Sequence, residues 1–171
     1  MEKLSISNAI KAVSCEINLG RSVLDAYMLP DGEKRIGVEN IGVALGYSSK
    51  VFFERTKVES TTLKELKEIG FSGKQIWVKP IGTGDVNRKT IGLSDVIKLI
   101  TYEAISKRNL KAIILLAAFA ETGLETILED AFAGKAIDFL LEKIVHYSQW
   151  TYEELEEVLQ YNREEVRALY S

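Results

Sequence analysis

The sequence predicts an α+β fold: small antiparallel hairpins packed on a helical core, followed by a helical C-terminal segment. Three observations carry this expectation. Two stretches alternate apolar and polar residues between glycine-containing turns, as half-buried strands do. The segments between and after them repeat their apolar residues at helical spacing. A hydrophobic content of 46% over 171 residues is enough for one sizeable core, and two are not expected. Charged residues of mixed sign make up 27%, a folded protein's composition, so order is expected nearly throughout.

From Cys15, CEINLGRSVLDAYMLPDGEKRIG reads as two strands, with Leu19-Gly20-Arg21 and Pro30-Asp31-Gly32 as turns. Val23, Leu24, Ala26 and Met28 mark a largely buried strand. Val38 to Leu45 turns helical, with Ile41 and Leu45 four apart and Gly46 as the stop. Ser48 or Ser49 caps a short helix through Val51, Phe52, Phe53 and Arg55, because a serine oxygen accepts the free N–H groups of a first turn. Thr61 or Thr62 caps a third helix, TTLKELKEIG, ending at Gly70. Gln75 to Lys79 and Lys89 to Leu93 form a second hairpin across the polar loop GTGDVNR. Ser94 and Asp95 start a helix through Ile100, and a longer one runs from Leu110 through Asp130, with Ile113, Leu116 and Phe119 on its apolar face. These two helices are the expected core. The remainder reads as two or three short amphipathic helices, with Thr151 and Glu154 as a capping box. The expected organisation is an α+β domain over residues 1–134 and an acidic helical extension over 135–171.

The opening residues lack an unbroken apolar core and a small-residue cleavage site, so no secretory signal is read and a cytoplasmic location is expected. The most apolar run, Ala112 to Ala120, is far shorter than the roughly 20 residues that span a bilayer, and no membrane association is expected. Cys15 is the single cysteine and His146 the single histidine, which excludes an internal disulfide and a zinc cluster of soft ligands.

Catalytic patterns are sought and not found, and no cofactor or metal is called for. The GTG of the hairpin loop belongs to neither GxGxxG nor GxxxxGK[ST]. Asp31, Glu33 and Lys34 share one tight turn, whereas a metal-dependent nuclease draws its carboxylates from separate strand positions. His146 and Ser148, two apart on a helix, face different directions and do not make a nucleophile and base. Cys15 reads as an inert buried thiol, and Trp77 and Trp150 as packing residues.

Charge is unevenly distributed. The net charge is −3, yet Lys50 to Lys111 holds 13 Lys/Arg against 7 Asp/Glu, while Ala112 to Ser171 holds 4 against 12. A basic middle with an acidic end suits phosphate binding with a tail that limits non-specific contact, and equally suits exposed faces that merely differ in charge. Within the basic stretch, VENIGVALGYSSKVFFERTK from Val38 to Lys57 fits a helix-turn-helix: Gly42 at the crossing, Gly46 opening the turn and Phe52 anchoring the second helix. That helix offers Ser48, Ser49, Lys50, Glu54 and Arg55 outward, suited to phosphates and base edges, and an ordinary helix pair fits the same pattern.

RIGVENIGVALGYSS resembles the strand and LGY-ending helix of the Bro-N domain of phage antirepressors and baculoviral Bro proteins. RKTIGLSDVIKLITYEAISKRNLKAIILLAAFAETGLETILEDAFAG resembles that domain's second half, so the resemblance covers residues 35–134. It implies a compact α+β DNA-associated domain of transcription-regulating phage or mobile-element proteins, in which Ala44, Leu45, Gly46 and Tyr47 are structural. After Gly46 the family's basic, asparagine-containing stretch is replaced by SSKVFFERTK, and its second module by the acidic helical end.

The leading expectation is a non-enzymatic, antirepressor-like module binding double-stranded DNA through Ser48, Ser49, Lys50, Arg55, Lys57, Arg88 and Lys89, the last two at the base of the polar hairpin loop. The alternatives are a protein-interaction module, whose acidic C-terminal helices bind a regulatory partner or make a homo-oligomer, and a divergent nuclease.

Overall fold

A computed structural model of the protein describes residues 8–20, 22–47, 61–82, 84, 86–135, 138–149, 153, 154 and 157. The helix expected from Ser48 through Arg55, and Thr151 of the expected capping box, lie outside them. The described elements run β1 (Ile10–Asn18), β2 (Val23–Met28), β3 (Lys34–Gly37), α1 (Val38–Ala44), α2 (Thr61–Glu68), β4 (Ile76–Pro80), β5 (Arg88–Gly92), α3 (Leu93–Ile105), α4 (Leu110–Thr122), α5 (Leu124–Phe132) and α6 (Asp138–Ser148). The α+β class is as expected.

Both expected strand pairs are present and antiparallel, with Ile17 opposite Leu24 in β1–β2 and Trp77 opposite Lys89 in β4–β5. They do not stand as separate hairpins packed on helices, and that expectation is corrected. β3 pairs with both β2 and β5, and the start of β1 runs parallel to β4, with Ile10 against Val78 and Ala12 against Pro80. The sheet closes into a barrel in the order β1-β2-β3-β5-β4. The physical reason is that an isolated hairpin leaves two rows of backbone donors and acceptors unpaired, and closure pairs them. β1 also begins at Ile10 rather than Cys15. Its first half exposes Ile10, Lys11, Val13 and Ser14 and buries only Ala12, so no alternation announces it.

Cross-strand partners share a face and neighbours along a strand do not. One face carries Ile17, Leu24, Ala26, Ile36 and Ile91, all fully buried, and joins Leu99 and Ile100 of α3, Ile113 of α4 and Leu128 of α5 in the main core. Leu140, Ile144 and Tyr147 of α6 enter the same core, where α6 packs on α4. On the opposite face Tyr27 belongs to a smaller cluster with Ala12, Leu29 and Val78. Among the described residues no helix is long and apolar enough to cross a membrane.

One helix boundary differs from expectation. The long helix expected from Leu110 through Asp130 is broken at Gly123, whose φ of 82° and ψ of 127° are non-helical and accessible to glycine. The apolar spacing of Leu124, Ile127 and Leu128 continues past this break, so periodicity alone runs the two helices together. Ser94 and Asp95 stand in the first turn of α3, as expected, with Gly92 as its N-cap. Asp95 accepts hydrogen bonds from Ser72 N (2.9 Å) and Ser72 Oγ (2.7 Å), fastening the segment after α2 to α3. The cap of α4 is Asn109, whose side chain accepts from Lys111 N and Ala112 N.

Candidate functional site

Helix α1 ends in the Leu45-Gly46-Tyr47 turn, where Gly46 takes φ 91° and Tyr47 N donates to Gly42 O (2.8 Å). This turn is docked onto the connection between α3 and α4. Tyr47 Oη donates to Glu103 Oε2 (2.9 Å), and Asn109 Nδ2 donates to Leu45 O (2.8 Å) and, at 3.3 Å, to the same Glu103 oxygen. Glu103 is only 5% exposed. A buried carboxylate holding two donors from different elements fixes their relative position, because moving either one leaves a polar group unsatisfied.

The docked corner is basic. Lys107, Arg108 and Lys111 are all exposed, and Lys111 runs alongside Gly46, its Cδ 3.4 Å from where a side-chain carbon would stand on that glycine. Among the described residues none of the three is ion-paired, and the Lys107 ammonium lies 5.9 Å from the centre of the Tyr102 ring. Arg108, at φ 51°, is the one non-glycine described residue in the left-handed region. Holding a side chain there costs about 1 kcal/mol or more, and such strain concentrates where a particular side chain is needed. The sequence signal for this corner is three cations in five residues, Lys107 to Lys111.

Of the residues expected to contact DNA, Ser48, Ser49, Lys50, Arg55 and Lys57 lie outside the described residues; the chain enters that segment from Tyr47, at the basic corner. Arg88 and Lys89 are described and sit at the base of the hairpin loop as expected, but strand alternation sets the two side chains apart. They are the first two residues of β5 and point to opposite faces of the sheet. Arg88 lies 3.7 Å from Glu39, with the two side chains 48% and 68% exposed, and Lys89 Nζ lies 5.1 Å from the Trp77 ring centre. Trp77, expected as a packing residue, is partly exposed and borders a groove.

That groove consists of two depressions of about 270 and about 400 Å³ that share Asp25, Tyr27 and Arg88. Gly37, Glu39, Asn40, Trp77 and Lys89 border the first; Ser14, Cys15, Glu16 and Val86 border the second. Asn40 Nδ2 donates to Asp25 Oδ2 at 2.5 Å. Burial, with Glu16 and Glu39 nearby, holds the Asp25 carboxyl above the usual carboxylate range, against the opposing pull of Arg88. Burial and Asp25 push the Tyr27 phenol up to about 12 and the Cys15 thiol up to about 11. Cys15 is therefore protonated near neutral pH and a poor nucleophile. None of Asp25, Tyr27, Gly37 or Asn40 stood out in the sequence. Glu16 facing Asp25 across the β1–β2 pair is a like-charge opposition visible only once the register is known. Among the described residues no three His, Cys, Asp or Glu side chains are placed to hold a metal ion.

Fold and sites together define an α+β barrel protein with a rigidly docked basic corner and a separate polar groove. No protein-family model matches the chain, and no curated protein or solved structure matches it.

Proposed function

We propose that the chain is a DNA-binding regulatory module of the antirepressor type, contacting duplex phosphates through Lys107, Arg108 and Lys111 together with Lys50, Arg55 and Lys57. The observation that carries this reading is the fastening of three unpaired cations to the turn from which the segment holding the other three departs. Phosphate contacts set register and orientation, and a cation serves that purpose when it is free of a carboxylate and held by a rigid support. Arg88 and Lys89 are already engaged by Glu39 and Trp77 and contribute less.

Mobility shifts with a short duplex test the proposal. Each phosphate neutralised adds about −0.9 to the logarithmic salt slope, so the three corner contacts by themselves account for about 40-fold of the weakening between 50 and 200 mM salt. Replacing Lys107, Arg108 and Lys111 with glutamine is expected to flatten the slope by about three units, and replacing Arg88 and Lys89 with alanine by less than one. Binding that ignores salt, or survives the triple substitution unchanged, overturns the reading. The duplex is expected to stay intact when magnesium is added, and cleavage would favour a nuclease.

Arg108→Gly separates structure from function. Relief of the left-handed strain, about 1 kcal/mol, offsets the unfolded-state entropy that glycine adds, about 0.5–1 kcal/mol. Thermal stability is therefore expected to hold while DNA affinity falls. A drop in melting temperature with unchanged affinity would mean that Arg108 is needed by the turn and not by a ligand.

A further inference from the structure

We infer that the groove around Asp25 and Tyr27 is a binding site for an organic cation, an ammonium or guanidinium group carried by a small molecule or by a peptide side chain. Two independent observations meet there. The first is an unbalanced charge field: Asp25 is faced by Glu16 across the β1–β2 pair and by Glu39 of α1, and Arg88 is the one cation shared by both depressions. Arg88 is drawn 3.7 Å from Glu39, which leaves Asp25 with the neutral amide of Asn40 as its hydrogen-bond donor. The second is Tyr27, 4% exposed and bordering both depressions, whose hydroxyl has no hydrogen-bond partner among the described residues. The side chain is buried but its hydroxyl opens into the groove without a partner among the described residues, which places it to bond whatever enters.

The groove's shape supports the same ligand. Gly37 borders it, and a side-chain carbon there would lie 3.4 Å from the Tyr27 ring and 3.5 Å from Asp25 Cβ, so glycine keeps the approach to both open. Trp77 on the same rim already seats one ammonium, that of Lys89. A bound cation would pair with the Asp25 carboxylate, offer an N–H to the Tyr27 oxygen and relieve the repulsion from Glu16 and Glu39. An anion would meet three carboxylates against Arg88 and Lys89.

Calorimetric titration with agmatine, with an unstructured arginine-rich peptide and with glutarate as the anion tests this on the full chain. Agmatine or the peptide is expected to bind, and Asp25→Asn to weaken that binding by tenfold or more, as loss of one member of a charge pair does. Tyr27→Phe should weaken it by about three- to tenfold with no loss of thermal stability, since the hydroxyl it removes has no partner to lose. Arg88→Ala should tighten it by removing the resident competitor, the opposite of its expected effect on DNA. Binding should weaken as pH falls through the raised Asp25 range, which burial raises first, Glu16 of β1 and Glu39 of α1 raise further and Arg88 of β5 lowers; the Cys15 thiol, the Tyr27 phenol and the Asn40 amide also face Asp25. Binding of the peptide alone assigns the cation to a protein side chain, and binding of agmatine assigns it to a free amine. The inference is overturned if neither probe binds at about 10 mM, the weak end of specific recognition, if glutarate binds in their place, or if Asp25→Asn leaves cation binding unchanged.

Discussion

Arg35→Met is expected to destabilise the protein by about 3 kcal/mol, the scale set by orphaning several buried polar groups at once. Arg35 is 4% exposed and ties together three parts of the barrel. Its Nε donates to Thr90 Oγ1 (2.9 Å), one Nη to Thr90 O (3.2 Å) and Lys74 O (3.4 Å), and the other pairs with Glu33 (2.7 Å). Thr90 then passes the connection on, its hydroxyl donating to Ile76 O (2.9 Å). A guanidinium on β3 thus bonds β5 and, through it, the start of β4. Methionine keeps much of the volume and supplies none of the donors. For a chain of this size the expected loss is about 6–12 °C in melting temperature. Arg35→Lys should recover only part of it, because an ammonium cannot reproduce the planar fork. Chemical denaturation of the three proteins measures the effect, and a loss below about 1 kcal/mol would show that the network contributes little beyond packing.

Glu103→Ala is expected to act on stability and on DNA binding together. It removes the acceptor shared by Tyr47 and Asn109 and should destabilise the fold by about 2 kcal/mol. It also loosens the corner that carries Lys107, Arg108 and Lys111, so DNA affinity should fall by about tenfold although no cation is lost, as positioning effects do when a support is removed. Glu103→Gln, whose amide oxygen still accepts from Tyr47, should restore most of both. Melting curves paired with mobility shifts at two salt concentrations read the two effects separately. If Glu103→Ala lowers the melting temperature but binds duplex as tightly as wild type, the corner does not position the DNA contacts.

The position of Tyr47 illustrates how far local pattern carries. The helix ending in Ala44, Leu45, Gly46 and Tyr47 was legible from spacing and from glycine's role as a stop, and the resemblance implied that these residues are structural. That Tyr47 reaches a carboxylate 56 residues away was not legible. Asp95 shows the converse: its place at the start of a helix was legible, but its engagement by Ser72 was not, since no local rule nominates that partner. Arg88 and Lys89, read as a pair because they are adjacent, are separated by the alternation of β5, and each is claimed by a different neighbour.

Local chemistry therefore accounts for the α+β class, the strand and helix segments and their turns, because turn residues and apolar periodicity act over fewer than about ten residues. Barrel closure, the burial of Arg35, the docking of the basic corner and the groove around Asp25 and Tyr27 were decided by tertiary structure. Each depends on which strands pair and in what register, and β1 meets β4, and β3 meets β5, across long separations in sequence. A charged side chain takes its role from the groups placed opposite it. Asp25 opposes Glu16 and Arg35 meets Thr90 through pairings that join distant stretches, so their chemistry arose with the fold.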